Sequence, residues 1–317
     1  MTENQGGSTK QRWMKLALSV PGDLLDAMSN FMIEVGAQGV YEEALEPWAA
    51  NDFPELKAED VLYAYLPFDT RLEDRLSRLQ VFIEDLATLF PDLAHITYRQ
   101  EAIEDPDWGE QWKKYFKPLR VSRAIVVKPT WERYTPEGGD TGIDIDPGMA
   151  FGTGQHASTR MCLEALEDVI STDRTVKAWK VLDVGTGTGI LGIACAKLGA
   201  ARVLCLDIDK KAIGIARENI RINEVNDRVK ASSCDVNALE EDFDLIVANL
   251  TEKILVKLKP ALVRLLRPGG YLIVSGIVID NRSMIEESFL VEPLVTYRSL
   301  AEKEWLCYVL QKRSENR

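Results

Sequence analysis

Val181-Leu182-Asp183-Val184-Gly185-Thr186-Gly187-Thr188-Gly189-Ile190-Leu191-Gly192 decides the fold, together with the Asp207 that closes the next apolar run. The apolar start reads as a buried strand, the glycines as a turn, and Ile190 onward as a helix. Val203-Leu204-Cys205-Leu206 is a second strand with a carboxylate at its end. This unit suits an adenosine-bearing cofactor. Gly185 and Gly187 let the backbone pass close to a ligand where a Cβ would collide. The helix start offers N–H groups, and Asp207 can accept from both ribose hydroxyls.

The glycines alone leave the cofactor open, because Gly187, Gly189 and Gly192 also satisfy the dinucleotide spacing G-x-G-x-x-G. Asp183 favours S-adenosylmethionine over a nicotinamide dinucleotide. An acid at the strand end would repel a pyrophosphate and welcome a sulfonium and an amino group. The blander reading of Asp183 is that it receives N–H groups of the turn.

Downstream, strands and helices alternate. A helix runs from about Lys210 to Asn223, capped by Asp209. Phe243-Asp244-Leu245-Ile246-Val247-Ala248-Asn249 is a fully buried strand, and its helix carries Ile254, Leu255, Leu258, Ala261, Leu262, Leu265 and Leu266 on one face. Arg267-Pro268-Gly269-Gly270 breaks that helix, and Tyr271 to Ser275 is the next strand. The alternation predicts a doubly wound α/β sheet with its ligand site at the carboxyl ends of the strands.

Upstream, residues 13–101 show strand–helix–strand twice. Trp13 to Val20 alternates; Leu24, Leu25, Met28, Phe31, Met32 and Val35 follow at helical spacing, and Gly36 stops them. Gly39-Val40-Tyr41 is a short strand. Val61 to Leu66 repeats the pattern, with Leu72, Leu76, Leu79, Phe82, Ile83 and Leu86 on a helix and His95 to Tyr98 on a strand. This predicts a smaller α+β, ferredoxin-like domain. Residues 1–12 read as a disordered tail, the acidic stretch Glu42 to Asp60 as a surface loop, and residues 102–117 as a connector whose Trp108, Trp112, Tyr115 and Phe116 pack against a domain. Val121 to Lys128 reads as a strand, and the second domain spans residues 118–317.

With 46% hydrophobic and 28% charged residues in 317, the chain has the balance of a soluble globular protein. It has no run long enough to span a membrane and no secretory signal, so a cytoplasmic location is expected. The net charge of −12 argues against direct nucleic-acid binding and suits a basic protein partner. Cys162, Cys195, Cys205, Cys234 and Cys307 are widely spaced among apolar residues and predict buried, reduced thiols. With only His95 and His156 beside them, no metal site is expected.

Two further stretches carry chemistry. Asn249-Leu250-Thr251 ends the fourth strand over the same crevice. Without the prolines and aromatic that grip a flat base, an Asn acceptor suits a flexible aliphatic amine. Asp146-Pro147-Gly148-Met149-Ala150-Phe151-Gly152-Thr153-Gly154-Gln155-His156-Ala157-Ser158-Thr159 joins a mobile backbone, an apolar lid at Phe151 and a helix-start hydroxyl at Thr159. His156 and Thr159 could equally be ordinary helix caps.

That long stretch resembles the signature of the PrmA family, class I methyltransferases of large-subunit ribosomal protein L11. The resemblance extends to Asp105-Pro106-Asp107-Trp108, to Asp183 through Gly189, to Asp207-Ile208-Asp209, to Val247-Ala248-Asn249-Leu250, to Ser275-Gly276-Ile277 and to Glu304-Trp305. It implies an N-terminal domain that grips the protein substrate and a Rossmann-like domain that binds S-adenosylmethionine. It also implies Thr159, Gly185, Asp207 and Asn249 as cofactor contacts, to which the reading of the residues themselves adds Gly187, Asp183 and Phe151. The chain departs from the family at Ala157, where proline is frequent, and at Leu250-Thr251, where Ile-Leu is frequent. The implied reaction is methyl transfer to lysine ε-amines and the N-terminal α-amine, by a chain expected to be monomeric. No residue is assigned as a base; Asn249 and the Leu250 carbonyl are expected to orient the amine. The rival readings are a methyltransferase for another protein or a small amine, a non-catalytic S-adenosylmethionine-binding module, and a nicotinamide enzyme.

Overall fold

The computed structural model describes residues 12–21, 24, 28–29, 31–32, 34–37, 39–42, 60–89, 96–103, 117–146, 154, 156–173 and 175–314. The readings on residues 1–11, on the acidic loop between 43 and 59, on the aromatic connector and on Phe151 lie outside them. The chain divides into two compact units, residues 1–116 with 147–149, and residues 117–146 with 150–317.

In the first unit, β1 (Trp13–Val20) leads to a helical stretch whose Leu24, Met28 and Met32 are buried, four residues apart. Gly36 ends it with φ of +98°, a conformation open to a residue without a Cβ. β2 (Gly39–Glu42), β3 (Asp60–Pro67), α1 (Leu72–Leu89) and β4 (Thr97–Ile103) follow. The sheet order is β2-β3-β1-β4 and every pairing is antiparallel, as a ferredoxin-like βαββαβ unit requires. Leu16, Leu18, Val20, Leu62 and Leu66 form its core with Met28, Met32 and Leu79.

The second unit starts with a three-stranded sheet of β5 (Leu119–Arg120), β6 (Ile125–Lys128) and β7 (Thr141–Asp144). The expected strand from Val121 is therefore shorter, because residues 122–124 bend before β6. Next come α2 (Ala157–Thr172), β8 (Lys180–Val184), α3 (Ile190–Lys197), β9 (Arg202–Leu206), α4 (Lys210–Ile222), β10 (Val229–Ser232), β11 (Phe243–Asn249) and α5 (Glu252–Leu265). The chain ends with β12 (Leu266–Val278), α6 (Arg282–Phe289), β13 (Leu294–Glu302) and β14 (Trp305–Lys312).

The seven-stranded sheet has the order β10-β9-β8-β11-β12-β14-β13. β10 through β12 are mutually parallel, whereas β14 runs antiparallel to both β12 and β13. Both faces are covered, which explains the near-continuous apolar strands. Val181, Leu245 and Val247 pack with α2, α3 and α4, while Leu182, Ile246 and Ala248 pack with α5 and α6. Strand order reverses between β8 and β11, and that switch point opens a crevice at their carboxyl ends.

Three expectations need correction. Ile254 lies 44% exposed, so the buried face of α5 is carried by Leu255, Ala261, Leu262 and Leu265, and Leu266 already belongs to β12. Arg267 to Gly270 lie inside β12, absorbed by a register shift opposite Phe243 to Leu245. Cys234 is exposed, because it lies beyond the end of β10, outside any strand or helix; the other four cysteines are buried.

Candidate active site

Gly185, Gly187 and Gly189 carry φ of +75°, +54° and +87° between β8 and α3. A side chain at any of them would be strained. The N–H groups of Gly185 and Thr186 both donate to the Leu206 carbonyl, at 2.8 and 2.9 Å, so the turn is tied to the end of β9. Gly189 caps α3 without a side chain. A Cβ on Gly185 would lie 2.4 Å from Leu250 Cδ2, so the turn after β8 packs against the loop after β11.

Asp207 stands just beyond β9, half-buried. Its Oδ2 accepts from Gly187 N–H at 3.0 Å and its Oδ1 from Asp209 N–H at 2.9 Å. Each oxygen keeps a second lone pair, the number needed for two ribose hydroxyls. Asp209 caps α4, accepting from Lys211 N–H at 2.8 Å. Between the two acids, Ile208 is 95% exposed.

Asp183, by contrast, is 0% exposed. Its Oδ2 accepts from Thr186 Oγ1 at 2.5 Å and from Gly192 N–H at 3.1 Å, joining the strand, the turn and α3. Its Oδ1 is buried and has no hydrogen-bond partner. Burial, with the nearby Asp207 charge adding to it, lifts the carboxyl to about 6, and the bond from Thr186 limits the rise. The side chain thus takes up the Thr186 hydroxyl of the turn and the Gly192 N–H of α3, rather than N–H groups of the turn itself. It also leaves one anionic oxygen uncompensated under the crevice.

On the other side, α2 begins at a His156 cap whose Nδ1 accepts from Ser158 N–H at 3.2 Å. The His156 ring meets Trp305 edge-on, with centroids 4.7 Å apart. Thr159 is 1% exposed, and its Oγ1 accepts from Asn249 Nδ2 at 3.3 Å. That bond turns Asn249 Oδ1 the other way, toward Gly276. A Cβ on Gly276 would lie 3.0 Å from Asn249 Oδ1 and 2.7 Å from the Leu250 carbonyl oxygen, so both acceptors border a position without a side chain. Gly276 has φ of +80°. Thr251 caps α5 by position, but its hydroxyl makes no capping bond.

The structure therefore gathers Asp183, Gly185, Gly187 and Asp207 at one side of the switch point, and Thr159, Asn249 and Leu250 at the other. Four features escaped the sequence reading: exposed Ile208, Leu250 packed on Gly185, Gly276 beside the acceptors, and Glu252 hydrogen-bonded to Asn281. An isoleucine between two acids was a readable signal for the first. The others depend on contacts between distant residues.

A family model described as Ribosomal protein L11 methyltransferase (PrmA) matches residues 12–313. The ribosomal protein L11 methyltransferase of Pelobacter propionicus is 36% identical over 302 residues, covering 95% of this chain and 98% of the relative. That of Geotalea daltonii is 37% identical over 309 residues, covering 94% and 97%. A crystal structure of ribosomal protein L11 methylase from Lactobacillus delbrueckii subsp. bulgaricus aligns with a TM-score of 0.56 at 32% identity, over 62% of this chain and 100% of that one.

Proposed function

The chain belongs to the ribosomal protein L11 methyltransferase family, and from that premise we propose that it methylates lysine ε-amines and the N-terminal α-amine of that ribosomal protein. S-adenosylmethionine supplies the methyl group on a sulfonium, activated for in-line transfer to a nitrogen lone pair. The crevice suits it: side-chain-free turn positions, a carboxylate pair of lone pairs at Asp207, and an unpaired buried oxygen on Asp183 that answers a cation. A pyrophosphate would meet that same oxygen as a like charge.

The observation that carries the reading is the Thr159–Asn249 hydrogen bond at the switch point. It fixes the amide so that Oδ1 and the Leu250 carbonyl can accept the two N–H groups of a neutral amine. The amine's lone pair is then left for the methyl. A lysine must first lose a proton, at a cost of about 4–5 kcal/mol at neutral pH. Burial next to a cation lowers that cost. Positioning by Asn249 and Leu250 supplies the rest of the catalysis we assign. Asp207 would bind the ribose, Gly185 and Gly187 would line the cofactor, and Phe151 would cover it.

We assign the grip on the substrate to the first unit, since a small amine would need no separate domain. A net charge of −12 suits a basic protein rather than nucleic acid. No helix among the described residues is long and apolar enough to cross a membrane; a cytoplasmic monomer is our reading. The test is transfer from labelled S-adenosylmethionine to purified ribosomal protein L11. Asp207→Ala should lose cofactor affinity, and a chain trimmed to begin at Lys117 should keep that affinity but lose transfer to the protein. Full affinity in the first, or normal transfer by the second, would overturn the assignment.

A further inference from the structure

Glu252 opens α5, three residues beyond Asn249, and is half-buried. Its Oε1 accepts from Asn281 Nδ2 at 3.0 Å, and this is its one hydrogen bond among the described residues. Asn281 follows the end of β12, the strand that carries Gly276. The Glu252–Asn281 bond therefore bridges the ends of β11 and β12, the same gap bordered by Asn249 Oδ1 and the Leu250 carbonyl. A glutamate in a first helical turn is also favourable to the helix dipole. That role needs no side-chain tether and no partial burial. The charged residues adjoining Glu252 and Asn281 in sequence are Lys253, Asp280 and Arg282; Glu304, whose carbonyl accepts from Ile279 N–H, accepts from Trp305 Nε1 through its carboxylate. Among the described residues none of these cations pairs with Glu252.

We propose that Glu252 recruits the acceptor: its carboxylate takes the lysine ε-ammonium at the rim, before the deprotonated amine passes to Asn249 and Leu250. This rests on the amine-methylating reading above. Glu252 is not assigned as the base, because a carboxylate is a far weaker base than an aliphatic amine. The proton equilibrates with the bulk buffer, so its loss is set by pH. The carboxylate gathers the cation and, by the same attraction, delays its deprotonation.

That opposition gives a signature a structural role lacks. In the full-length enzyme, with ribosomal protein L11 as substrate, Glu252→Gln should raise KM about three- to fivefold, the upper range of a solvent-accessible ion pair. The acid limb of the kcat–pH profile should move down by about 0.5–1 unit. S-adenosylmethionine affinity should stay at the wild-type value. Asn281→Ala removes the tether and keeps the charge, so KM should rise about two- to threefold with the acid limb in place. If the wild type methylates but Glu252→Gln leaves KM and the limb unmoved, or lowers cofactor affinity, the recruiting role is overturned. A wild type that methylates no protein amine overturns the underlying function instead.

Discussion

Replacing Asp183 with asparagine should remove a pH dependence from stability, so that the variant gains on wild type as pH rises. The carboxyl is fully buried and titrates at about 6, against an ordinary 3.8. That difference of about two pKa units corresponds to about 3 kcal/mol. Between the two values the folded chain holds a proton that the unfolded chain releases. Stability present below about 3.8 is therefore lost as pH rises through about 6. An asparagine oxygen can still accept from Thr186 Oγ1 and Gly192 N–H, and it never ionises. Relative to the variant, wild type should lose about 1 kcal/mol from pH 4.5 to 5.5 and about 2 kcal/mol from pH 4.5 to 8. The two units need not unfold together, so the measurement should be local: hydrogen exchange of β8 and α3 amides across that pH range. A difference between variant and wild type that stays constant over the range would refute the reasoning.

Three other substitutions follow from the geometry. Gly192→Ala gains helix propensity of about 1 kcal/mol, but its Cβ would stand 2.2 Å from Cys205 Sγ, so thermal unfolding should show a net loss. Combining it with Cys205→Ala should recover most of that loss, and simple additivity would contradict the contact. Gly185→Ala combines φ of +75° with a 2.4 Å clash against Leu250, and calorimetry should find cofactor affinity down about tenfold or more. Ile208→Ala should leave stability within about 0.5 kcal/mol yet weaken cofactor binding about fivefold by removing an exposed apolar face. Unchanged affinity would mean that Ile208 touches no ligand.

The sequence made the glycine turn, Asp207 and the alternation around them legible because these signals are local. Positive φ at Gly185, Gly187 and Gly189 and the cap at Asp209 depend on neighbours a few residues away. The antiparallel β14 and the edge strand β13 were less readable. β13 buries only Leu294, so it lacks the alternation that marks a half-buried strand. Ile254 kept helical spacing with buried neighbours yet faces out, because periodicity places a residue on a face without fixing how far the neighbouring elements extend. The Glu252–Asn281 pair spans 29 residues, and no local pattern announces it.

Asp183 shows why a cationic ligand and this turn belong together. A lysine or arginine beside it would compensate the charge permanently, and then a bound cation would gain little. Among the described residues none pairs with it; the groups around it are Thr186, the Gly192 N–H, Cys205 and Cys195, all uncharged, and the like-charged Asp207. A monocation about 6 Å away at an effective dielectric of about 20 interacts by about 3 kcal/mol. That matches the cost that burial places on ionising the Asp183 carboxyl. Bound S-adenosylmethionine should therefore draw the Asp183 titration back toward ordinary carboxylate values and flatten the pH dependence of wild-type stability. Asp183→Asn should lose that effect and bind the cofactor more weakly at pH 8 than wild type. If saturating cofactor leaves the wild-type pH dependence intact, the unpaired oxygen is a feature of the turn alone, and the preference for a cation must arise elsewhere in the crevice.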